Sequence, residues 1–397
     1  MLSVADAVAR VKAAFVPLAS ERVALSAAAN RVLAVDVVAA VDQPPLAVSA
    51  MDGYAVRLAD ATKAGVTLRV IGTAPAGHPF EGSVSAGQAV RIFTGSVVPK
   101  GADAILIQEN AEALGGTVVI TQPASPKHIR PAGLDFKKGA LLGVAGRRLT
   151  ARDLSLLAAA DVSAVEVHRK PRVTFAATGD ELSRPGEPRK AGGIVASSGY
   201  GLAAFVESWG GEARELGILP DNAEAIGALP SLAAGADLII TLGGASVGDH
   251  DLVRSALEPR GFVLDFWKIA MRPGKPLVFG RLDGTPFIGL PGNPVSALVC
   301  AILFVRPAID AMLGLQEDRP LAAARTVGAL TANDARQDYL RARFFMLNGE
   351  LWAETFPVQD SSVLSAFAAA DGLVVRAPHA AAAAPGERVS VLRLDGG

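Results

Sequence analysis

Cysteine is nearly absent: Cys300 is the only one in 397 residues. One thiol excludes an intramolecular disulfide and fits a reducing compartment. It lies in the apolar run from Ala297 to Val305, which reads as core and is too short to cross a bilayer. A dominant charge is missing too. Lys and Arg number 38 against 39 Asp and Glu, for a net charge of −1. Nothing basic enough for a general nucleic-acid or anionic-membrane partner is present, although a local basic pocket stays compatible with that balance. Asp6, Arg10 and Lys12 interrupt the first apolar residues, so no signal peptide is expected and the simplest location is cytoplasmic. Several catalytic signatures are also lacking. There is no Walker lysine and no GxGxxG after a first strand, no Cys/His cluster for zinc, and no Ser-His-Asp spacing.

What is present is apolar residue in quantity, 50% against 19% charged, ample for sizeable cores, and the length suggests two to four domains at roughly 150 residues per domain. The stretch Leu238 to Asp251, LIITLGGASVGDHD, organises the rest. Leu238-Ile239-Ile240-Thr241-Leu242 reads as a buried strand of a parallel sheet. It stops at Gly243-Gly244, and a helix-like stretch begins near Leu252. Such a strand-to-helix turn presents free N–H groups to anions at a sheet's carboxyl edge, the usual ligand position in open α/β sheets. Four more polar, Gly-rich turns follow apolar runs in the same region.

Taken in order, Ser3 to Phe15 is expected to be an amphipathic helix capped by Ser3. Arg31 to Val41 reads as a strand broken by Gln43-Pro44-Pro45. In Met51-Asp52-Gly53-Tyr54 the Asp-Gly pair suits a tight turn, and the residues alone favour that reading over a functional Asp52. Residues 57 to about 140 suggest a β domain. Within it the Thr94-Gly95-Ser96 turn and Lys100 could hold an oxyanion, as could any hairpin. Thr150 to Ala160 is a capped helix, and Ala164 to Arg169 a short strand. From Arg172 to about Leu315 strands and helices alternate, as in a doubly wound α/β domain. Its turns place Glu181, Asp221, Asp251 and the Lys268, Arg272 and Lys275 cluster at loop ends. Carboxylates beside a phosphate suit Mg²⁺, and nearby cations suit an oxyanion. After about residue 318 the rhythm is lost and a small β domain is expected, with strands at Arg336 to Met346 and Val389 to Leu394.

Six stretches, PPLAVSAMDGYAV (44–56), RIFTGSVVPKGADAILIQE (91–109), ATGDEL (177–182), LGGASVGDHD (242–251), FWKIAMRPGKP (266–276) and GLPGNPVSA (289–297), together resemble the molybdopterin molybdenumtransferases, the MoeA family, whose animal relative is the E domain of gephyrin. The resemblance implies an elongated, multidomain α/β plus β subunit. Residues 1–44 and 141–170 would form a discontinuous linker domain and 45–140 an inserted β domain. Residues 171–318 would form an α/β domain resembling molybdopterin adenylyltransferases, and 319–397 a C-terminal β-barrel-like domain. It also implies a homodimer with an active site shared between subunits, and transient contact with a molybdopterin adenylyltransferase. The implied reaction inserts molybdenum from molybdate into adenylylated molybdopterin with release of AMP, and depends on Mg²⁺. A silent molybdopterin-binding scaffold and an adenylyltransferase are the alternatives.

Carried over by motif, the functional positions are Asp52, Thr94, Asp135, Glu181, Asp221, Asp251, Lys268, Arg272 and Lys275. Glu181, Asp221 and Asp251 would hold the metal. Gly243, Gly244, Ser246, Gly248, Pro291, Gly292 and Asn293 would cradle the pterin phosphates. Departures from the family pattern are Arg272 in place of a common lysine, Leu134 in place of an acid, and Ala196 and Ser198 in place of Asp and Asn. Gln359-Asp360-Ser361-Ser362 replaces a Gly-Ser-Gly turn, and for the charge of Asp360 this loop is left out of the expected site.

Overall fold

The computed structural model describes residues 1–244, 252–315 and 320–394. The chain divides into two compact units, one of 22–29 and 35–167, the other of 1–21, 30–34 and 168–397. The segments expected to form one linker domain contribute to both. Helix α1, Val4–Ala13, opens the larger unit. The Asp6 N–H donates to the Ser3 hydroxyl at 3.1 Å, the cap that the sequence pattern calls for. Val4, Ala7 and Val11 are buried.

The run Arg31 to Val41 is not one strand. Only Val37–Val38 is extended, paired with Leu141–Gly143. Residues 30–34 pack in one unit and 35–41 in the other, so no single sheet can hold the run, whatever its β propensity.

The smaller unit is built on a six-stranded sheet of β1 (Gly53–Val56), β2 (Thr67–Ala74), β3 (Gln88–Ile92), β4 (Ala104–Ile107), β5 (Ala111–Leu114) and β6 (Thr117–Ile120). The spatial order is β4-β1-β3-β2-β6-β5. Strand β1, central and buried throughout, packs Tyr54 and Val56 on one face and Ala55 on the other, the period of two that alternating Cβ atoms impose. Helix α2, Ala151–Ala159, begins at a reciprocal capping box of Thr150 and Asp153.

In the larger unit six strands form the α/β sheet: β7 (Arg172–Thr178), β8 (Glu212–Leu219), β9 (Leu238–Leu242), β10 (Phe262–Trp267), then β12 (Val278–Leu282) and β13 (Thr285–Leu290) beyond a two-residue strand β11 (Met271–Arg272). The order is β8-β7-β9-β13-β12-β10. β8, β7, β9 and β13 are parallel. β12 alone runs the other way, antiparallel to both β13 and β10, because it returns into β13 through Asp283-Gly284, both with positive φ, a two-residue turn suited to an antiparallel hairpin. Leu238, Ile240 and Leu242 of β9 face a core shared with helices α3 (Ser198–Ser208) and α5 (Pro294–Met312), and Ile239 faces the core of α4 (Leu252–Leu257). Helices on both faces make the domain doubly wound. The chain passes from β7 to β8 on one side and then to β9 on the other, so the topological switch lies between β7 and β9, where open α/β sheets form their crevice.

Helix α5 holds Cys300 and is long and apolar enough to cross a membrane by length and composition alone, beyond what the run at 297–305 suggested. Of its most apolar window, 72% is buried inside the protein, as in the core helix of a globular domain.

The C-terminal region closes into a five-stranded barrel of β14 (Ala322–Thr326), β15 (Gln337–Leu347), β16 (Glu350–Thr355), β17 (Gly372–Arg376) and β18 (Arg388–Arg393). The circuit runs β15-β16-β14-β18-β17 and back to β15. Small side chains fill the interior, including Ala324, Ala342, Ala353 and Val391. Tyr339, Leu373 and Val375 on the outer face join the core of α1 and α5, so the barrel is anchored to the α/β layer by apolar contact.

Candidate active site

A cleft of about 1180 Å³ opens at the carboxyl edge of β7, β9 and β13. Gly243 and Gly244 end β9 with φ of 98° and 67°. A Cβ on Gly243 would lie 2.8 Å from the Thr178 carbonyl oxygen, so only glycine permits β9 to turn this close to β7. The Gly243 N–H is tied to the Leu290 carbonyl at 3.1 Å. On the third side Pro291-Gly292-Asn293 leads into α5. Asn293 does not cap that helix; its amide donates instead to the Ser361 hydroxyl at 3.0 Å. The Val295 N–H donates to the Ser361 carbonyl at 3.1 Å. Ser296, in the first turn, lines the cleft. A helix start there favours an anion.

Carboxylates are part of the lining. Glu181 and Asp221 line the cleft and are exposed. The Asp221 N–H donates to the Asp180 carboxylate at 3.2 Å. Partial burial raises the Asp221 carboxyl above its usual range, and the charges of Asp180 and Glu181 push the same way, with a hydrogen bond to Asp180 opposing. Positive charge is therefore favoured at this point. Among the described residues no three His, Cys, Asp or Glu side chains converge as a metal site. The third expected ligand, Asp251, lies outside the described residues, as do Ser246 and Gly248.

Cations line it as well. Arg272, Lys275 and Arg336 line the cleft. The loop carrying the first two turns at Gly274, φ 104°, directly over Cys300. The Cys300 thiol donates to the Gly274 carbonyl at 3.7 Å, and burial pushes its pKa far up, so it packs as an inert apolar group. Lys268 is not part of the cleft lining. Its ammonium sits 3.7 Å from the centroid of the Trp267 ring, a cation–π contact.

Sequence reasoning left out the loop Gln359 to Ser362, but the structure places most of it at the cleft. Gln359, Asp360 and Ser361 line the cleft. The Asp360 carboxylate accepts from the Ser362 hydroxyl at 2.6 Å and its N–H at 2.8 Å, bonds that hold its pKa low and satisfy its charge within the turn. The only available signal was the polar QDSS turn itself. Arg336 was missed as a site residue because it reads as the start of a strand.

In the smaller unit, Asp52 and Thr94 meet. The Thr94 N–H and hydroxyl donate to Asp52 Oδ1 at 2.7 and 2.8 Å. The backbone bond, the hydroxyl bond and the charge of Arg91 lower the Asp52 carboxyl below its usual range. Arg91 ties the turn together. It donates to the Gly53 carbonyl at 3.2 Å and to Gln108 Oε1 at 3.0 Å, and lies 5.1 and 5.0 Å from the Tyr54 and Phe93 ring centroids. Asp135 is exposed in another loop of this unit, whose backbone N–H donates to the Gln43 carbonyl at 2.9 Å.

Three family models match the chain in order: the MoeA N-terminal region (domain I and II) over residues 2–160, a probable molybdopterin binding domain over 175–311, and the MoeA C-terminal region (domain IV) over 323–394. The molybdopterin molybdenumtransferase of Haemophilus influenzae is 37% identical over 382 residues, covering 94% of each chain. That of a Nostoc species is also 37% identical, over 83% of this chain and 78% of its own. The solved molybdopterin biosynthesis MoeA protein of Pyrococcus horikosii superposes with a TM-score of 0.86 at 31% identity over the full length of both chains.

Proposed function

The chain belongs to the molybdopterin molybdenumtransferase family, an enzyme family of molybdenum cofactor biosynthesis, and from that premise we propose that it inserts molybdenum from molybdate into adenylylated molybdopterin and releases AMP. The observation that carries this is one cleft lined together by carboxylates, a cation-bearing loop, a glycine turn and a helix start. Its volume suits a ligand of nucleotide size.

In this reading the Gly243-Gly244 turn, bare of side chains, lets a phosphate of the substrate approach the backbone closely. Lys275 neutralises the oxyanion, and the charge that develops as the phosphoanhydride to AMP breaks. Glu181 and Asp221 are the groups to hold Mg²⁺. The charges of Asp180 and Glu181 beside Asp221 support a cation at this point, and one or two carboxylates plus phosphate oxygens are the donor set Mg²⁺ takes. When bound, the ion would supply charge neutralisation on the pyrophosphate. The assembly proposed is a homodimer in which the Asp52–Thr94 turn of one subunit meets the cleft of the other, visited transiently by the adenylyltransferase that delivers substrate in the cytoplasm.

Single-turnover AMP release from adenylylated molybdopterin, with and without molybdate and Mg²⁺, tests the reaction. Release that requires both, with molybdenum retained on the dithiolene, is expected. Tight binding without release under any divalent ion would sink the transferase reading and leave a carrier.

A further inference from the structure

Strand β11 belongs to the α/β chain segment but pairs with the barrel. Met271 and Arg272 lie parallel to Gln337 and Asp338 of β15, and the Gln337 N–H donates to the Ala270 carbonyl at 2.8 Å. At this register point the side chains meet as well. Arg272 Nε donates to Asp338 Oδ1 at 3.0 Å and its Nη2 donates to Oδ2, a two-pronged pair. The Asp338 side chain is 7% exposed. The other contacts are Nη2 to Asn333 Oδ1 at 3.5 Å and Nη1 to Asp334 at 3.8 Å. Among the described residues, every polar contact of the Arg272 guanidinium therefore goes to the barrel.

These acceptors are themselves fixed. Asn333 donates to the Arg336, Arg376 and Ala377 carbonyls at 2.7 to 3.1 Å. Arg336 bonds Asp334 and holds its carboxyl down at about 2. Lys275, three residues along the same loop, is exposed in the cleft. It has no ion-pair partner among the described residues.

We propose that Asp338 is a positioning residue. Through Arg272 it holds the 271–275 loop against the barrel, so that Arg272 serves as a latch and Lys275 is the cation left to meet the oxyanion. The inference deepens the cleft reading above and rests on it for the identity of the anion. Its chemistry is specific to arginine, since a guanidinium matches a carboxylate with two parallel bonds and fixes orientation, whereas an ammonium makes a point contact. A charge paired in this way is largely neutralised and adds little to oxyanion binding. Removing one partner leaves the other charge uncompensated against the barrel and frees the loop.

The test uses the full-length protein and the variants D338N, R272Q, R272Q/D338N and K275Q. Amide hydrogen exchange of peptides spanning residues 269–276 is followed without ligand, and molybdate binding by calorimetry; melting temperatures confirm folding. D338N and R272Q should each speed exchange in the loop and weaken molybdate binding about tenfold, the usual scale for an outer residue that orients a ligand-binding one. The double variant should recover most of both, because a Gln–Asn pair can still hydrogen-bond without stranding a charge. K275Q should lose molybdate binding with loop exchange unchanged. A double variant as weak as R272Q, with D338N binding as tightly as wild type, would place Arg272 on the anion and overturn the latch. Unchanged exchange in both single variants would overturn it too, with or without molybdate binding. Wild-type protein that ignores molybdate would refute the oxyanion reading, and the exchange data would still decide the latch.

Discussion

Asp52 shows what a single residue owes to its neighbours. In sequence it is one half of an Asp-Gly turn, and the turn alone explains it. In the structure its carboxylate is the acceptor for two donors of Thr94, 42 positions away. Thr94→Val removes the hydroxyl donor and keeps the N–H, so the Asp52 pKa should rise part of the way back to 3.8. The sign follows from linkage. A depressed carboxyl favours the folded state above its unfolded pKa, and that contribution is lost as pH falls through the folded value, so the stability lost in the variant is full above about pH 4 and fades below it. Carboxyl NMR titration of both proteins reads it directly; an unmoved midpoint would rule out the hydroxyl bond. Residue type and motif spacing were enough to bring Glu181, Asp221 and Lys275 to attention. They could not show that Arg272 is spent on Asp338, which lies 66 positions on. Pairing between distant segments leaves no local pattern.

At the scale of elements, β9 and its turn were the most legible part of the chain. Its β-branched run is buried on both faces, and such strands read as continuous apolar stretches. The turn after it is constrained at Gly243. Gly243→Ala forces a side chain into a left-handed conformation and onto the Thr178 carbonyl, a loss of about 1–3 kcal/mol. The expected outcome is a melting temperature lower by several degrees, together with loss of phosphate-ligand binding. A fully stable variant with native binding would show that β9 can turn without glycine here. The helix starts at Ser3 and Thr150 were equally readable, because a cap is made within one turn of chain. The run at 31–41 was misread because its propensity is local and its partners are not: half packs in one unit and half in the other. Strand β12 runs against the rest of its sheet, a direction that depends on the Asp283-Gly284 hairpin.

On the scale of the whole molecule, the proposed shared site makes assembly a condition of activity. Sedimentation should give twice the chain mass, and specific activity should fall on dilution through the dissociation range. A fully active monomer would exclude a site built from two subunits. Composition determined the broad class before any fold was seen: a balanced charge, one thiol and ample apolar residues specify packed domains without disulfides. Periodicity and glycine placement determined the α/β layer and the edge at which its ligand crevice lies, since burial and turn geometry are written into adjacent residues. Tertiary structure alone decided the rest. It closed the C-terminal strands into a barrel, through pairing of β15 with β17. It brought the Gln359–Ser361 loop onto the start of α5, and it drew β11 out of its own sheet to join β15. These contacts join residues tens of positions apart. Their free energy comes from surfaces that exist only after both partners have folded.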